Sequence, residues 1–180
     1  MELADLPPKL PIAGEPRCSI IILAFNKAGY TALCLRSVLT EIDSAAAEII
    51  VVDNASTDNT SEVLRKFGNR TDVIRNKDNL RFVDGCNFGA AAAKGRYLLF
   101  LNNDTVVLPG AIDTLLESVD RDETIGAIGP IFLYPDGRIQ EAGGIVWRDA
   151  SADLLAGEAR RDRERTGWHA PSITCRGQLC

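Results

Sequence analysis

The tripeptide Asn102-Asn103-Asp104 directly follows an apolar run at residues 97–101 and combines one carboxylate with two amides. Oxygen atoms of such groups are the ligands that a hard divalent cation such as Mn²⁺ or Mg²⁺ takes in proteins. Such a cation takes its remaining ligands from phosphate oxygens and stabilises the charge that develops on a leaving diphosphate. Alternatively, Asn and Asp are common turn residues, and the tripeptide then only turns the chain.

A second carboxylate, Asp53, follows the predicted buried strand at residues 48–52, which is apolar after Glu48, in the same way. The polar residues at 54–60 include several that can cap a following helix. Capping does not require Asp53, because Asp53 precedes the cap positions. Its carboxylate can accept hydrogen bonds from a base or a ribose.

The apolar runs predict the elements that position these residues. Residues 97–101 lack polar alternation, which predicts a strand buried on both faces and therefore an α/β fold, with a mostly parallel central sheet flanked by helices. Further strands are predicted at residues 18–25, 48–52, 72–75 and 125–133. Because ligands bind outside the carboxyl ends of parallel strands, Asp53 and Asp104 should share one edge of the sheet.

Helical spacing and breakers predict the helices between these strands. One helix is expected at about 31–41 with Thr31 or a neighbour as cap, and one at 60–67 ending at Gly68. Pro109 is expected in the first turn of a later helix. A turn at 135–137 and an edge strand or hairpin at 138–147 follow. Gly85 and Gly89 permit close approach of either a sheet or a ligand.

The composition is that of a soluble globular protein. The chain has 180 residues, of which 46% are hydrophobic and 25% charged, and its net charge of −5 disfavours a general nucleic-acid binder. No apolar run reaches the length of a membrane span, and the acidic start is unlike a signal peptide. Five cysteines without a CxxC pair indicate reduced thiols and a cytoplasmic protein.

The expected organisation is a leader at 1–17, one domain at 18–148 and a tail at 149–180. The mixed charges at 148–165 indicate an exposed helix or a disordered tail. His169, Cys175 and Cys180 are an alternative, zinc-binding set, although their spacing matches no closed four-ligand site. The sequence leaves open whether the chain forms a homo-oligomer.

Five segments in register resemble the N-terminal part of a family 2 glycosyltransferase with the Rossmann-like GT-A fold. They are residues 20–26, 51–58, 79–89, 93–104 and 140–144. The resemblance covers roughly residues 18–148, and a receiver domain or a nucleotidyltransferase would require motifs after the first strand that this chain lacks.

The resemblance implies roles for individual residues. Asp104 corresponds to the metal-binding carboxylate of the family's Asp-x-Asp motif, and Asn102 departs from the commoner Asp. Arg81 stands where many relatives have Gly, and either brings positive charge near a diphosphate or is simply exposed. The residues implied in donor binding are Phe25, Asn26, Asp53, Asn79, Arg81, Asn87, Asn102 and Asn103.

The implied activity is transfer of a sugar, with inversion, from a UDP-, GDP- or dTDP-sugar to a glycan, lipid-linked or protein acceptor. The enzyme would be cytoplasmic or peripheral at the inner membrane face. Inversion needs a general base. Glu141 comes too early for that role, and Glu158 and Glu164 lie where the motifs have ended. The alternative is a truncated or non-catalytic module that binds nucleotide-sugar.

Overall fold

The structure, a computed structural model, describes residues 14–42, 47–146, 152–154 and 172–175, without the side chains of 144–146, 152–154 and 172–175. The chain folds into two compact units, Met1–Thr105 and Val106–Cys180. The division falls inside the span predicted as one domain. All nine predicted site residues belong to the first unit.

The first unit alternates strands and helices. Its elements are β1 (Cys18–Ala24), α1 (Ala28–Glu41), β2 (Ala47–Asp53), α2 (Thr60–Phe67), a 3₁₀ turn (Gly68–Arg70), β3 (Asp72–Arg75), α3 (Arg81–Ala92) and β4 (Tyr97–Asn102). The four strands form one parallel sheet in the order β3-β2-β1-β4. The predicted α/β class is therefore confirmed.

The apolar runs at β1 and β2 form the centre of the core. Ile20 pairs with Ile49 of β2 and with Leu99 of β4. Ile21 and Ile22, on opposite faces of β1, are both almost completely buried. Both faces of the central strands are thus covered, as expected for a parallel sheet between helices.

Gly85 and Gly89 place α3 directly against the sheet. A Cβ at Gly89 would lie 2.5 Å from Cγ2 of Ile21 and 3.0 Å from Cγ2 of Val52, and one at Gly85 would lie 2.6 Å from Leu23. Of the two alternatives left by the sequence, the structure shows helix-on-sheet packing for both glycines.

The prediction that residues 97–101 are buried on both faces is wrong. Leu98 and Phe100 are each 46% exposed, whereas Leu101 is buried. Leu98 and Phe100 pair with Ser19 and Ile21 and so lie on the face that α3 covers at β1 and β2. Since β4 is the outermost strand of this sheet, α3 leaves that face of β4 exposed.

A buried carboxylate joins the strands at their amino ends. Oε1 of Glu48 accepts hydrogen bonds from Oγ of Ser19 (2.5 Å) and from the backbone N–H of Lys94 (2.6 Å). The N–H of Gly95 donates to the same serine oxygen (2.8 Å), and a Cβ there would collide with the backbone of Ser19. Gly95 is therefore required by close approach of the α3–β4 turn.

Several predicted boundaries differ from the structure. Helix α1 begins three residues before Thr31. Its N-cap residue, Lys27, has a left-handed conformation (φ 59°) and makes no capping hydrogen bond with its own side chain. Pro109 precedes α4 (Ala111–Arg121) rather than lying in its first turn, since Gly110 (φ 74°) starts the helix. Gly68 (φ 58°) ends α2 as predicted.

The second unit contains short strands. They are β5 (Thr105–Val107), which starts at the unit boundary, β6 (Ile131–Leu133), β7 (Ile139–Glu141), β8 (Gly144–Val146), β9 (Ala152–Leu154) and β10 (Ser172–Cys175). They pair in the orders β5-β10-β6-β7 and β8-β9.

Two predictions for this unit were wrong and one was right. Strand β6 occupies only the end of the predicted span 125–133, because the preceding residues, with Gly126 and Gly129, form no ladder. The strand at Ala152–Leu154 contradicts a helix or disorder at that point, because it pairs with β8. The turn at 135–137 is confirmed, and of the two alternatives for 138–147 the edge strand is formed, since β7 pairs antiparallel with β6 at the edge of its sheet. His169, Cys180 and most of the predicted leader and tail lie outside the described residues.

Close packing of α3 is testable at Gly89. We expect Gly89→Ala to lower the free energy of unfolding by up to about 2 kcal/mol, because overpacking costs about 1–3 kcal/mol and the gain in helix propensity offsets about 1 kcal/mol. Gly29→Ala in α1 is the matched control, since its Cβ meets no atom within 4 Å. It should be neutral or stabilising in denaturant titration, and equal effects of the two substitutions would contradict the packing argument.

Candidate functional site

The loops after β1 and β2 are hydrogen-bonded to each other at the carboxyl edge of the sheet. The N–H of Asn26 donates to Oγ of Ser56 (2.8 Å). Oδ1 of Asn26 accepts from the N–H groups of Thr57 (2.8 Å) and Asp58 (3.2 Å). Asn26 therefore positions the second loop, and Phe25 beside it is 45% exposed.

Asp53 ends β2 with its side chain directed inward and 1% exposed. Its Oδ1 accepts the N–H of Ser56 (2.9 Å), and its Oδ2 lies 3.1 Å from a guanidinium nitrogen of Arg75. The same guanidinium donates to the carbonyl of Ser56 (2.9 Å). In this structure the carboxylate predicted to contact a nucleotide therefore holds the loop after β2.

Asn54, the next residue, binds the segment that leads into α3. Its Oδ1 accepts from Nδ2 of Asn76 (3.0 Å) and the N–H of Leu80 (3.0 Å). Its Nδ2 donates to Oδ1 of Asn79 (2.7 Å) and to the carbonyl of Arg81 (3.1 Å). Asn79 and Arg81, both predicted site residues, are thus brought to the end of β2.

The tripeptide at the end of β4 contains one side chain, that of Asn103, with hydrogen bonds to neighbouring elements. Nδ2 of Asn103 donates to Oγ1 of Thr31 (2.9 Å) and lies 3.4 Å from the carbonyl of Asn26. Asn102 is exposed and Asp104 is half-buried. Asn103 therefore ties β4 to the loop after β1, and Asp104 follows at the same edge.

Asn87 is placed differently from the other predicted site residues. It lies two positions from both Gly85 and Gly89, which face the sheet, and helical geometry turns it to the opposite side of α3. Its side chain is exposed there. The structure therefore does not bring Asn87 to the strand-end loops.

Sequence reasoning did not identify Asn54, Asp58 and Arg75 as parts of this site. Oδ2 of Asp58 accepts the N–H of Ala28 (3.1 Å), so a residue of the second loop caps α1. The available signal for Asn54 and Asp58 was the stretch at residues 53–60, in which only Ala55 is apolar and which capping of α2 alone does not require.

These loops and the parallel sheet define the class of α/β proteins that bind ligands at the carboxyl ends of their strands. The chain belongs to glycosyl transferase family 2, because the family model matches residues 19–177. That match extends beyond residue 148, where the motifs seen in the sequence end.

Curated relatives agree with this assignment. The glycosyltransferase GlyG of Streptococcus pneumoniae is 26% identical over 153 residues, which cover 83% of this chain and 50% of GlyG. The chondroitin synthase of Pasteurella multocida is 33% identical over 146 residues, which cover 78% of this chain and 15% of the synthase. The chain thus spans half or less of the length of these relatives.

Solved structures confirm the GT-A type of fold. Residues 1–349 of Staphylococcus aureus TarS superpose with a TM-score of 0.55 at 21% identity, covering 66% of this chain and 35% of that chain. TarS 1–349 has also been solved with UDP and with UDP-GlcNAc. Within the described ranges of the present chain, no helix is long and apolar enough to cross a membrane.

The cap formed by Asp58 predicts a pH dependence. The hydrogen bond from the Thr60 hydroxyl, with further bonds from backbone N–H groups, lowers the pKa of Asp58 from 3.8. Stability from this group is therefore present above the unfolded-state pKa and is lost as pH falls through the lower, folded-state pKa.

We expect Asp58→Asn to flatten the loss of stability below about pH 4, measured by chemical denaturation between pH 7 and pH 2.5. The change should be small, since the carboxylate is exposed. Asp78→Asn, an exposed carboxylate in the loop before α3, is the control. Equal slopes for wild type and Asp58→Asn would contradict a stabilising role of the ionised Asp58 carboxylate.

Proposed function

We propose that this chain binds a nucleoside-diphosphate sugar at the carboxyl edge of its sheet and transfers the sugar to an acceptor. The observation that carries the proposal is that a family 2 chain holds Asn79 and Arg81 by hydrogen bonds from Asn54 after β2, at the sheet edge where Asp104 also follows β4. The UDP and UDP-GlcNAc complexes of TarS support a nucleotide-sugar as the ligand class.

Asp104 suits a divalent cation that is shared with the donor. No described residue forms an ion pair or hydrogen bond with its carboxylate. The described residues contain no group of three or more His, Cys, Asp or Glu that could hold a metal alone. Mg²⁺ and Mn²⁺ accept one carboxylate when phosphate oxygens and water complete the ligand set. When bound, the cation would neutralise charge on the departing diphosphate.

The exposed residues at this edge are the candidates for direct donor contact. Phe25 offers an apolar surface, Asn79 and Asn102 offer amides, and Arg81 offers a guanidinium suited to a diphosphate. Asn26, Asp53 and Asn103 already have internal hydrogen-bond partners, so their contribution is to shape the loops.

The reaction is an inverting displacement. The acceptor oxygen forms a bond to the anomeric carbon, the bond from that carbon to the diphosphate breaks, and a base takes the acceptor proton. A glycan, a lipid-linked sugar or a protein could supply the acceptor hydroxyl. We assign no described residue as the general base that takes the acceptor proton. Donor binding is therefore better supported than sugar transfer.

Calorimetric titration with UDP, GDP and dTDP, each with Mn²⁺ and with chelator, tests donor binding. It also identifies which nucleobase the donor carries. Binding of one nucleotide supports the proposal, and binding of none overturns it. Slow hydrolysis of the matching nucleotide-sugar would show that the chain turns over its donor. Binding without hydrolysis would favour the alternative, a non-catalytic nucleotide-sugar-binding module.

Asp104→Ala should remove the metal-dependent part of nucleotide affinity, by about tenfold or more, because it removes the only carboxylate of the tripeptide. The affinity measured with chelator and the melting temperature should stay unchanged. Asp72→Ala is the matched control, since Asp72 starts β3 at the opposite edge of the sheet. Wild-type affinity of Asp104→Ala in Mn²⁺ would reject the metal role.

A further inference from the structure

The side chain of Asn54 has no unused hydrogen-bonding capacity. A primary amide has two donor hydrogens and an oxygen that accepts two hydrogen bonds. All four are used, by Asn76 and Leu80 at the oxygen and by Asn79 and Arg81 at the nitrogen, while the residue is 1% exposed. Asn54 therefore sets the path of the segment between β3 and α3 without facing solvent itself.

Arg81 is held by this network in a conformation that its side chain disfavours. Its φ is 61°, in the left-handed region that suits glycine. Its carbonyl accepts from Asn54, and its N–H donates to Oδ1 of Asn79 (2.8 Å). Hydrogen bonds to both its N–H and its carbonyl thus fix the backbone of Arg81, the first residue of α3.

The guanidinium of Arg81 differs from that of Arg75. Arg75 is bonded to Asp53 and to the carbonyl of Ser56. The exposed guanidinium of Arg81 makes no ion pair or hydrogen bond within the described part of the chain. A planar guanidinium binds phosphate oxygens through two parallel hydrogen bonds, and a fixed backbone lowers the conformational entropy that is lost on binding.

We propose that Asn54 is a positioning residue that, through its bonds to Asn79 and Arg81, holds the Arg81 guanidinium for the diphosphate of the donor. The inference rests on the proposed function. It assigns Asn54 a role without contact to the ligand. It also explains why an arginine occupies a left-handed position, since the bonds from Asn54 and Asn79 fix a conformation that would otherwise be unfavourable.

A double-mutant cycle tests this coupling, with Asn54→Asp, Arg81→Gly and the double variant titrated with UDP and with uridine. Asn54→Asp keeps the acceptor oxygen and loses both N–H donors. Each single variant should lose about tenfold in UDP affinity, and the double variant should be no weaker than Arg81→Gly. Affinity for uridine, which has no diphosphate, should not change.

Two further measurements separate positioning from damage to the fold. Arg81→Gly should melt at or above the wild-type temperature, because glycine adopts φ 61° freely, while UDP affinity falls. Arg65→Ala, which removes an exposed arginine from the last turn of α2, should leave UDP affinity unchanged. If Asn54→Asp does not fold, Asn79→Ala takes its place in the cycle, since Asn79 carries the acceptor for the Arg81 N–H. A direct contact of Asn79 with the donor would add to the loss from Arg81→Gly, whereas positioning of Arg81 would not.

The outcomes distinguish this inference from the proposed function. Additive losses in the cycle, wild-type UDP affinity in Arg81→Gly, or an equal loss for uridine would each overturn the role of Asn54 while leaving donor binding intact. No binding of UDP, GDP or dTDP by the wild-type chain would overturn the proposed function and this inference together.

Discussion

The backbone groups at the carboxyl ends of four parallel strands must find hydrogen-bond partners where the sheet ladder stops. In this chain short polar side chains provide many of them. Asn26 accepts the N–H groups of Thr57 and Asp58, and Asn54 binds the N–H of Leu80 and the carbonyl of Arg81. Because each bond joins two different loops, the loops after β1, β2 and β3 form one hydrogen-bonded unit.

Hydrogen-bond partners in the loops distinguish two carboxylates that look equivalent in the sequence. Asp53 and Asp104 both follow apolar strands, yet Asp53 is enclosed by Ser56 and Arg75 whereas Asp104 is half-buried without such partners among the described residues. A site needs both kinds of residue, because exposed groups bind with precision only when buried groups fix the backbone that carries them. The buried Asp53 thus holds the loop after β2 at the edge that also carries the half-buried Asp104.

The sequence predicted what depends on local pattern. The uniform apolar runs of β1 and β2 identified the central strands, and Gly68 identified the end of α2. Predictions from the sequence were wrong where contacts between residues far apart in the chain determine the structure. The exposure of Leu98 and Phe100 depends on where α3 crosses the sheet, and the early start of α1 depends on a cap from Asp58, thirty residues away. The direction of each Asp or Asn at the edge depends on partners in other loops, which no local pattern specifies.

Backbone strain is concentrated at the same carboxyl edge of the sheet. Among the described residues, the four non-glycine positions with positive φ are Asn26, Lys27, Ala55 and Arg81, and all lie at the carboxyl edge. A left-handed conformation costs about 1–2 kcal/mol per residue, less for Asn, and persists only where surrounding contacts determine it. At Arg81 the contacts are the bonds to Asn54 and Asn79. Glycine would relieve this strain but would bring no positive charge, and a positive charge is what the proposed role of Arg81 at a diphosphate requires.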